Sequence, residues 1–100
     1  MSTKTYAFDL DGTICEERPT FEKSLAAPIK EMIDLVNNLY HQGNRIIIYT
    51  ARSWGEFAVT EKWLKEKNVH YDILMCGKPV YDIWVDDRCC NPQDFIKSFT

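Results

Sequence analysis

Apolar positions in this chain come in two patterns. Tyr6-Ala7-Phe8 and Ile46-Ile47-Ile48-Tyr49 are short, continuous and β-prone, whereas Ile29, Met32, Ile33, Val36, Leu39 and Tyr40 recur at the spacing of one helix face. The first pattern predicts strands over Lys4–Asp9 and Arg45–Thr50. The second of these lacks polar alternation, as expected of a strand covered on both faces. The helical pattern predicts a first helix with Pro28 in its opening turn and Gly43 at its C-terminal stop. A second helix is expected from about Trp54 to Lys67, with Phe57, Ala58 and Leu64 on one face. Tyr71–Met75 and Tyr81–Val85 read as a third and a fourth strand. Asn91-Pro92 opens a terminal helix carrying Phe95, Ile96 and Phe99. Between the first strand and first helix, Thr13 to Ser24 breaks into polar residues around Pro19 and reads as a loop or flap.

Strands alternating with helices predict an α/β fold, a three-layer sandwich around a small, mostly parallel sheet. One hundred residues support one domain over 1–100 and not two. Ligands of such sheets bind beyond the carboxyl ends of the strands. Asp9 and Asp11, Thr50, and Asp86 with Asp87 all fall at predicted strand ends.

Charge and cysteine content narrow the partners. A net charge of -3 supplies no basic footprint, so broad nucleic-acid or anionic-membrane binding has no electrostatic support. No apolar run approaches membrane-spanning length, and Met1-Ser2-Thr3-Lys4 leads into a strand pattern instead of a signal-peptide core, so a cytoplasmic protein is expected. Cys15, Cys76, Cys89 and Cys90 lack zinc-ligand or disulfide-framework spacing and read as reduced thiols.

The chemistry concentrates in Asp9-Leu10-Asp11-Gly12-Thr13. Two carboxylates two residues apart on extended backbone share one side of the chain, and their repulsion calls for a cation or a shared proton. A calcium-binding EF-hand loop starting at Asp9 would need Gly sixth and Glu twelfth, where Ile14 and Thr20 stand instead.

Asp9-Leu10-Asp11-Gly12-Thr13, Thr50-Ala51-Arg52, Gly77-Lys78-Pro79 and Asp86-Asp87 together resemble the four motifs of the haloacid dehalogenase (HAD) superfamily of phosphohydrolases, in that family's order. Gly-Lys-Pro-x-Tyr-Asp followed by Asp-Asp-Arg is most similar to short members without a cap, associated with capsule or surface-polysaccharide biosynthesis. The resemblance implies a Rossmann-like HAD-type sheet and a magnesium-dependent phosphomonoester hydrolase. Asp9 would be the nucleophile that forms an aspartyl-phosphate, and Asp11 the acid and base for the leaving group and water. Thr50 would hold phosphoryl oxygens together with backbone donors near Gly12 and Ala51, and Lys78 would offset charge on Asp9 and the phosphate. Mg2+ would be held by Asp9, the Asp11 carbonyl and an acid of the Asp86-Asp87 pair, with Asp87 favoured for direct ligation. Arg52 would touch the rest of the substrate.

Two features depart from the family pattern. Only seven residues, Pro79 to Val85, separate Lys78 from the last acids, too few for a crossover helix, so short strands, a hairpin-like excursion and exchange between protomers stay open. No interval accommodates a cap domain, so the site either meets a large substrate or is walled by a neighbouring subunit in a homo-oligomer. The expected substrate is a small sugar phosphate or related metabolite. Two other readings share the same residues: a phosphatase of macromolecular ends (nucleic-acid 3′-phosphates or phosphoproteins), and a non-catalytic phosphate- or metal-binding module. The first lacks a basic or aromatic-interleaved surface run, and the second would not require both acids of the first motif.

Overall fold

A computed structural model describes residues 3–19 and 24–99. Part of the expected flap, residues 20–23, lies outside the described residues. The chain runs β1 (Thr5–Phe8), α1 (Lys30–His41), β2 (Arg45–Tyr49), a 3-10 turn over Trp54–Glu56, α2 (Phe57–Glu66), β3 (Ile73–Met75) and α3 (Pro92–Ser98). The strands form one parallel sheet in the order β1-β2-β3, with Phe8 opposite Ile48 and Ile48 opposite Leu74. All three strands therefore end on the same side of the molecule. This is the small α/β fold expected from the alternation of strands and helices.

Strand periodicity sorts the sheet into two unequal faces. Phe8, Ile46, Ile48 and Leu74 alternate onto the inner face and join Met32, Val36 and Leu39 of α1 and Trp63 and Leu64 of α2 in one buried core. The other face, with Ala7, Ile47, Tyr49, Ile73 and Met75, is half-buried or exposed. β2 is central in the sheet but covered on one face only, so its unbroken apolar run does not here mark burial on both sides. The second helical layer expected of a three-layer sandwich is not built by the described residues of one chain.

The predicted fourth strand, Tyr81–Val85, does not form: these residues run without a β partner and are exposed. The cause is the short connection from Lys78, which leaves too little chain to reach the start of a parallel strand. α3 nevertheless docks, with Phe95 meeting Phe8 and Tyr6 edge-on at ring-centroid distances of 5.5 and 6.0 Å. Asn91 caps this helix by accepting a hydrogen bond from Gln93 N at 2.9 Å, and Pro92 occupies its first turn. Asn91→Ala should cost about 1 kcal/mol, a fall in melting temperature of roughly 4–8 °C for a domain of this size. Calorimetry checks this, and an unchanged transition would mean that α3 adds nothing to the cooperative unit.

Among the described residues no helix is long and apolar enough to cross a membrane.

Candidate active site at the strand ends

The turn after β1 is built by its own backbone. The amides of Thr13, Ile14 and Cys15 all donate to the Leu10 carbonyl, and Gly12, at a φ of +87°, supplies the left-handed conformation that lets the chain fold back. Ile14 and Cys15 are wholly buried beneath this turn, so a stretch whose composition reads as open loop is anchored in the core. The anchoring leaves Asp9 and Asp11 at the mouth of the sheet.

The other side of the site is held by the ends of β2 and β3. Thr50 N donates to the Met75 carbonyl, Lys78 N to the Thr50 carbonyl and Gly77 N to the Arg52 carbonyl, all at 2.8–2.9 Å. These bonds carry Lys78 across the cleft, where its Nζ donates to Asp9 Oδ1 at 3.0 Å. The ammonium also lies 5.7 Å from the ring centroids of Tyr49 and Tyr81. Gly77 sits at a φ of +78°, and a Cβ there would approach Trp54 Nε1 to 2.9 Å. Trp54 is exposed and can move aside, so the expected cost of Gly77→Ala is the backbone strain, about 1–2 kcal/mol. A displaced Lys78 should accompany it, and a lowered chemical denaturation midpoint is the measurement that checks the cost.

A cleft of about 310 Å³ opens between these elements, lined by Asp9, Asp11, Ala51, Arg52, Lys78 and Tyr81, among others. Residues from three of the four sequence motifs thus meet at one place. Asp9 is partly exposed to the cleft, with 40% of its side-chain surface accessible. Asp11 is more enclosed, and both of its oxygens accept from one guanidinium: Arg52 Nε reaches Oδ2 at 2.9 Å and Nη2 reaches Oδ1 at 2.8 Å.

Several residues sit differently from the sequence expectation. Arg52, expected to touch substrate, has a side chain only 1% exposed and is bound to Asp11 and to Thr60 Oγ1. Burial alone would lower its pKa, but the hydrogen bonds and charge of Asp11 more than offset this, the net shift is upward, and the guanidinium stays charged. It acts on Asp11, not as a free arm. Thr50 is wholly buried, and its hydroxyl accepts from Arg52 N at 3.1 Å, closing the turn after β2. The Gly12 amide donates to the Cys15 carbonyl at 2.7 Å and is not an open phosphate donor. Among the described residues the Ala51 amide has no such acceptor and lines the cleft, as Lys78 does, so both are placed to donate to an anion.

Asp86 and Asp87 are absent from this constellation. Asp86 is exposed in a turn where it accepts from Arg88 N at 2.9 Å and Trp84 Nε1 at 3.4 Å, and these bonds, the first above all, hold its carboxyl below the ordinary range. Asp87 is exposed beside Arg88. Among the described residues no three His, Cys, Asp or Glu side chains group as they would around a metal ion. Within one chain the two clefted carboxylates have their charge offset by Arg52 and Lys78, so the residues assembled there do not make the magnesium site that the motifs imply.

Glu17 and Glu56 also line the cleft and were not singled out by sequence, and Tyr81, the tyrosine of the Gly-Lys-Pro-x-Tyr-Asp stretch, lines it without having been given a role there. Glu56 had a legible local signal, Ser53 three residues earlier. Their side chains form a capping box in which Ser53 N donates to Glu56 Oε2 at 2.8 Å.

Fold and cleft together define a small parallel α/β domain with an acidic, lysine-bearing site at its strand ends. The chain is similar to the crystal structure of an MCSG target from Vibrio cholerae, with a TM-score of 0.83 and 26% identity over 94% of this chain and 88% of that one. It is also similar to chains in two structures of the Pnkp1/Rnl/Hen1 complex, one of them described as an RNA repair complex, with TM-scores of 0.68 and 0.65 at 20% and 19% identity. Those matches take 97% of this chain but only 30% and 32% of the other, and at such identities the likeness is one of fold. No protein-family model and no curated protein sequence matches the chain.

Proposed function

We propose that this domain hydrolyses phosphate monoesters through an aspartyl-phosphate on Asp9, as the motif resemblance to capless HAD phosphatases implies. The observation that carries the reading is the contact of Lys78 with Asp9 across 69 positions of sequence, in a cleft shared with Asp11 and Ala51. An exposed carboxylate and an anionic ester repel, and a lysine at 3.0 Å from the attacking group reduces that repulsion before they meet. Asp9 forms a bond to phosphorus as the ester oxygen departs with a proton. Water then attacks the same phosphorus, releases inorganic phosphate and restores the carboxylate. Asp11 is the acid that gives the departing ester oxygen its proton in the first half and the base that takes a proton from water in the second, and Arg52 fixes its orientation. Because both Asp11 oxygens are held by Arg52, proton transfer requires one arm of that fork to part.

Magnesium belongs to the proposal as the ion that would further neutralise the phosphate, with Asp9, the Asp11 carbonyl and an acid of the Asp86-Asp87 pair as its holders. A single chain does not assemble this set, and no step above is routed through the ion.

The cleft volume of about 310 Å³ lies at the small end of ligand pockets, which suits a sugar phosphate or similar metabolite of the kind handled in surface-polysaccharide synthesis. Phosphate release should be measured as kcat/KM across hexose, heptose and keto-sugar phosphates, phosphopeptides and 3′-phosphorylated oligonucleotides. The expected result is a preference for sugar phosphates, lost in excess chelator and restored by magnesium better than by calcium. Preference for oligonucleotides with a steep loss at rising salt would move the substrate to macromolecular ends. Absence of turnover on every ester would leave a non-catalytic phosphate-binding module.

A further inference from the structure

Each strand end that brings a reactive group to the cleft continues into a residue that the proposed reaction leaves idle. The connection after β1 carries Asp9 and then Glu17, the one after β2 carries Ala51 and then Glu56, and the one after β3 carries Lys78 and then Tyr81, and all of these line the same cleft. We infer that Glu17, Glu56 and Tyr81 determine specificity: they receive the alcohol half of the ester, accept an uncharged, hydroxyl-rich group such as a neutral sugar, and reject one that carries a carboxylate. This rests on the reading of the cleft as a phosphatase site, whose substrate class it narrows.

The cleft has no cation to spare for a second anionic group on the substrate. Its cationic side chains among the described residues are Arg52 and Lys78. Every nitrogen of the buried Arg52 guanidinium is engaged, Nε and Nη2 by Asp11 and Nη1 by Thr60 Oγ1. Lys78 Nζ is bound to Asp9 and meets the phosphate in the proposed reaction. Glu17 and Glu56, in contrast, form no ion pair among the described residues and are the unbalanced charges of the cleft. A substrate carboxylate would face both without a counter-ion, whereas hydroxyl groups can donate to them.

Glu56 is fixed as an acceptor. Ser53 N and Ser53 Oγ both donate to its Oε2, at 2.8 and 3.2 Å, which holds the side chain at the start of α2 and leaves Oε1 without a donor among the described residues. Tyr81 supplies the complementary surface. Its ring is 47% exposed, with its centroid 4.8 Å from that of Trp84 and 5.7 Å from the Lys78 ammonium, so an aromatic face stands beside the phosphate end of the cleft. A sugar ring has apolar faces of carbon-bound hydrogens and a rim of hydroxyl donors. An aromatic face with carboxylate acceptors near it matches both.

Glucose 1-phosphate and glucuronic acid 1-phosphate are matched probes, because they differ only by a carboxylate in place of a hydroxymethyl group. Affinity is read from amide chemical shifts in excess chelator, where the proposed reaction does not consume the esters, and turnover is measured separately with magnesium. Wild-type protein should bind the glucose ester about tenfold more tightly than the glucuronic ester. Glu56→Gln removes charge but keeps the capping box, and with Glu17→Gln it should bring the two affinities to within about twofold, a change that a purely structural Glu56 would not produce. Tyr81→Ala should weaken glucose 1-phosphate about fivefold relative to inorganic phosphate. Equal or tighter binding of the glucuronic ester, a preference that survives the double glutamine variant, an unchanged glucose ester in Tyr81→Ala, or no binding of either ester would each overturn the inference. The expected preference without hydrolysis of either ester would uphold it and overturn the phosphatase reaction. Hydrolysis of both esters at equal affinity and equal kcat/KM would do the reverse.

Discussion

Asp9→Asn is expected to lower phosphate-ester turnover on the order of 10⁴-fold or more, down to background, while the fold survives. The amide keeps the size of the side chain and an oxygen to accept from Lys78, but it removes the charge that attacks phosphorus. Little stability should be lost, because Asp9 is 40% exposed and an ion pair of this kind contributes at most about 1 kcal/mol. Phosphate release and a thermal melt on the same sample separate the two effects. Activity within tenfold of wild type would remove Asp9 from the nucleophile's place, and an unfolded protein would show that the carboxylate serves the structure.

Arg52→Met should damage both stability and catalysis. The guanidinium is buried, holds both Asp11 oxygens and reaches the buried hydroxyl of Thr60. Removing it leaves a carboxylate with 12% side-chain exposure and without its main counter-charge, at a cost of about 3 kcal/mol, the low end for a broken buried pair because Asp11 also faces the cleft. For a domain of this size that is a melting temperature lower by roughly 12–24 °C. Adding Asp11→Asn to Arg52→Met should recover part of the loss, since the stranded charge is then gone. If Arg52 were a substrate arm instead, Arg52→Met would raise KM and leave the melting temperature within about 2 °C, the size of an ordinary surface change.

Much of this protein can be read from local pattern. Helical spacing located α1 because its buried residues, Met32, Ile33, Val36 and Leu39, lie on one stripe, and the continuous apolar runs located β1 and β2. The acids after β1 and the threonine after β2 fell where a parallel sheet presents side chains to a ligand, and the structure brings Asp9, Asp11, Ala51, Arg52 and Lys78 together there. Such features depend on neighbours a few residues away, so local spacing carries them.

Other outcomes depended on which group reaches which partner through space. Nothing in Thr50-Ala51-Arg52 shows that Arg52 turns inward to Asp11, 41 positions away, instead of outward to a substrate. That choice follows from the Thr60 hydroxyl and the Asp11 carboxylate meeting in one buried space. The burial of Ile14 and Cys15 under a polar loop has the same origin, since the Leu10 carbonyl gathers three amides and turns the chain inward. The fate of Tyr81–Val85 is the sharpest case. Its residues have strand propensity, but a strand exists only where another edge lies within reach. Seven residues after Lys78 do not span the distance to one in the same chain, because extension per residue is bounded by covalent geometry.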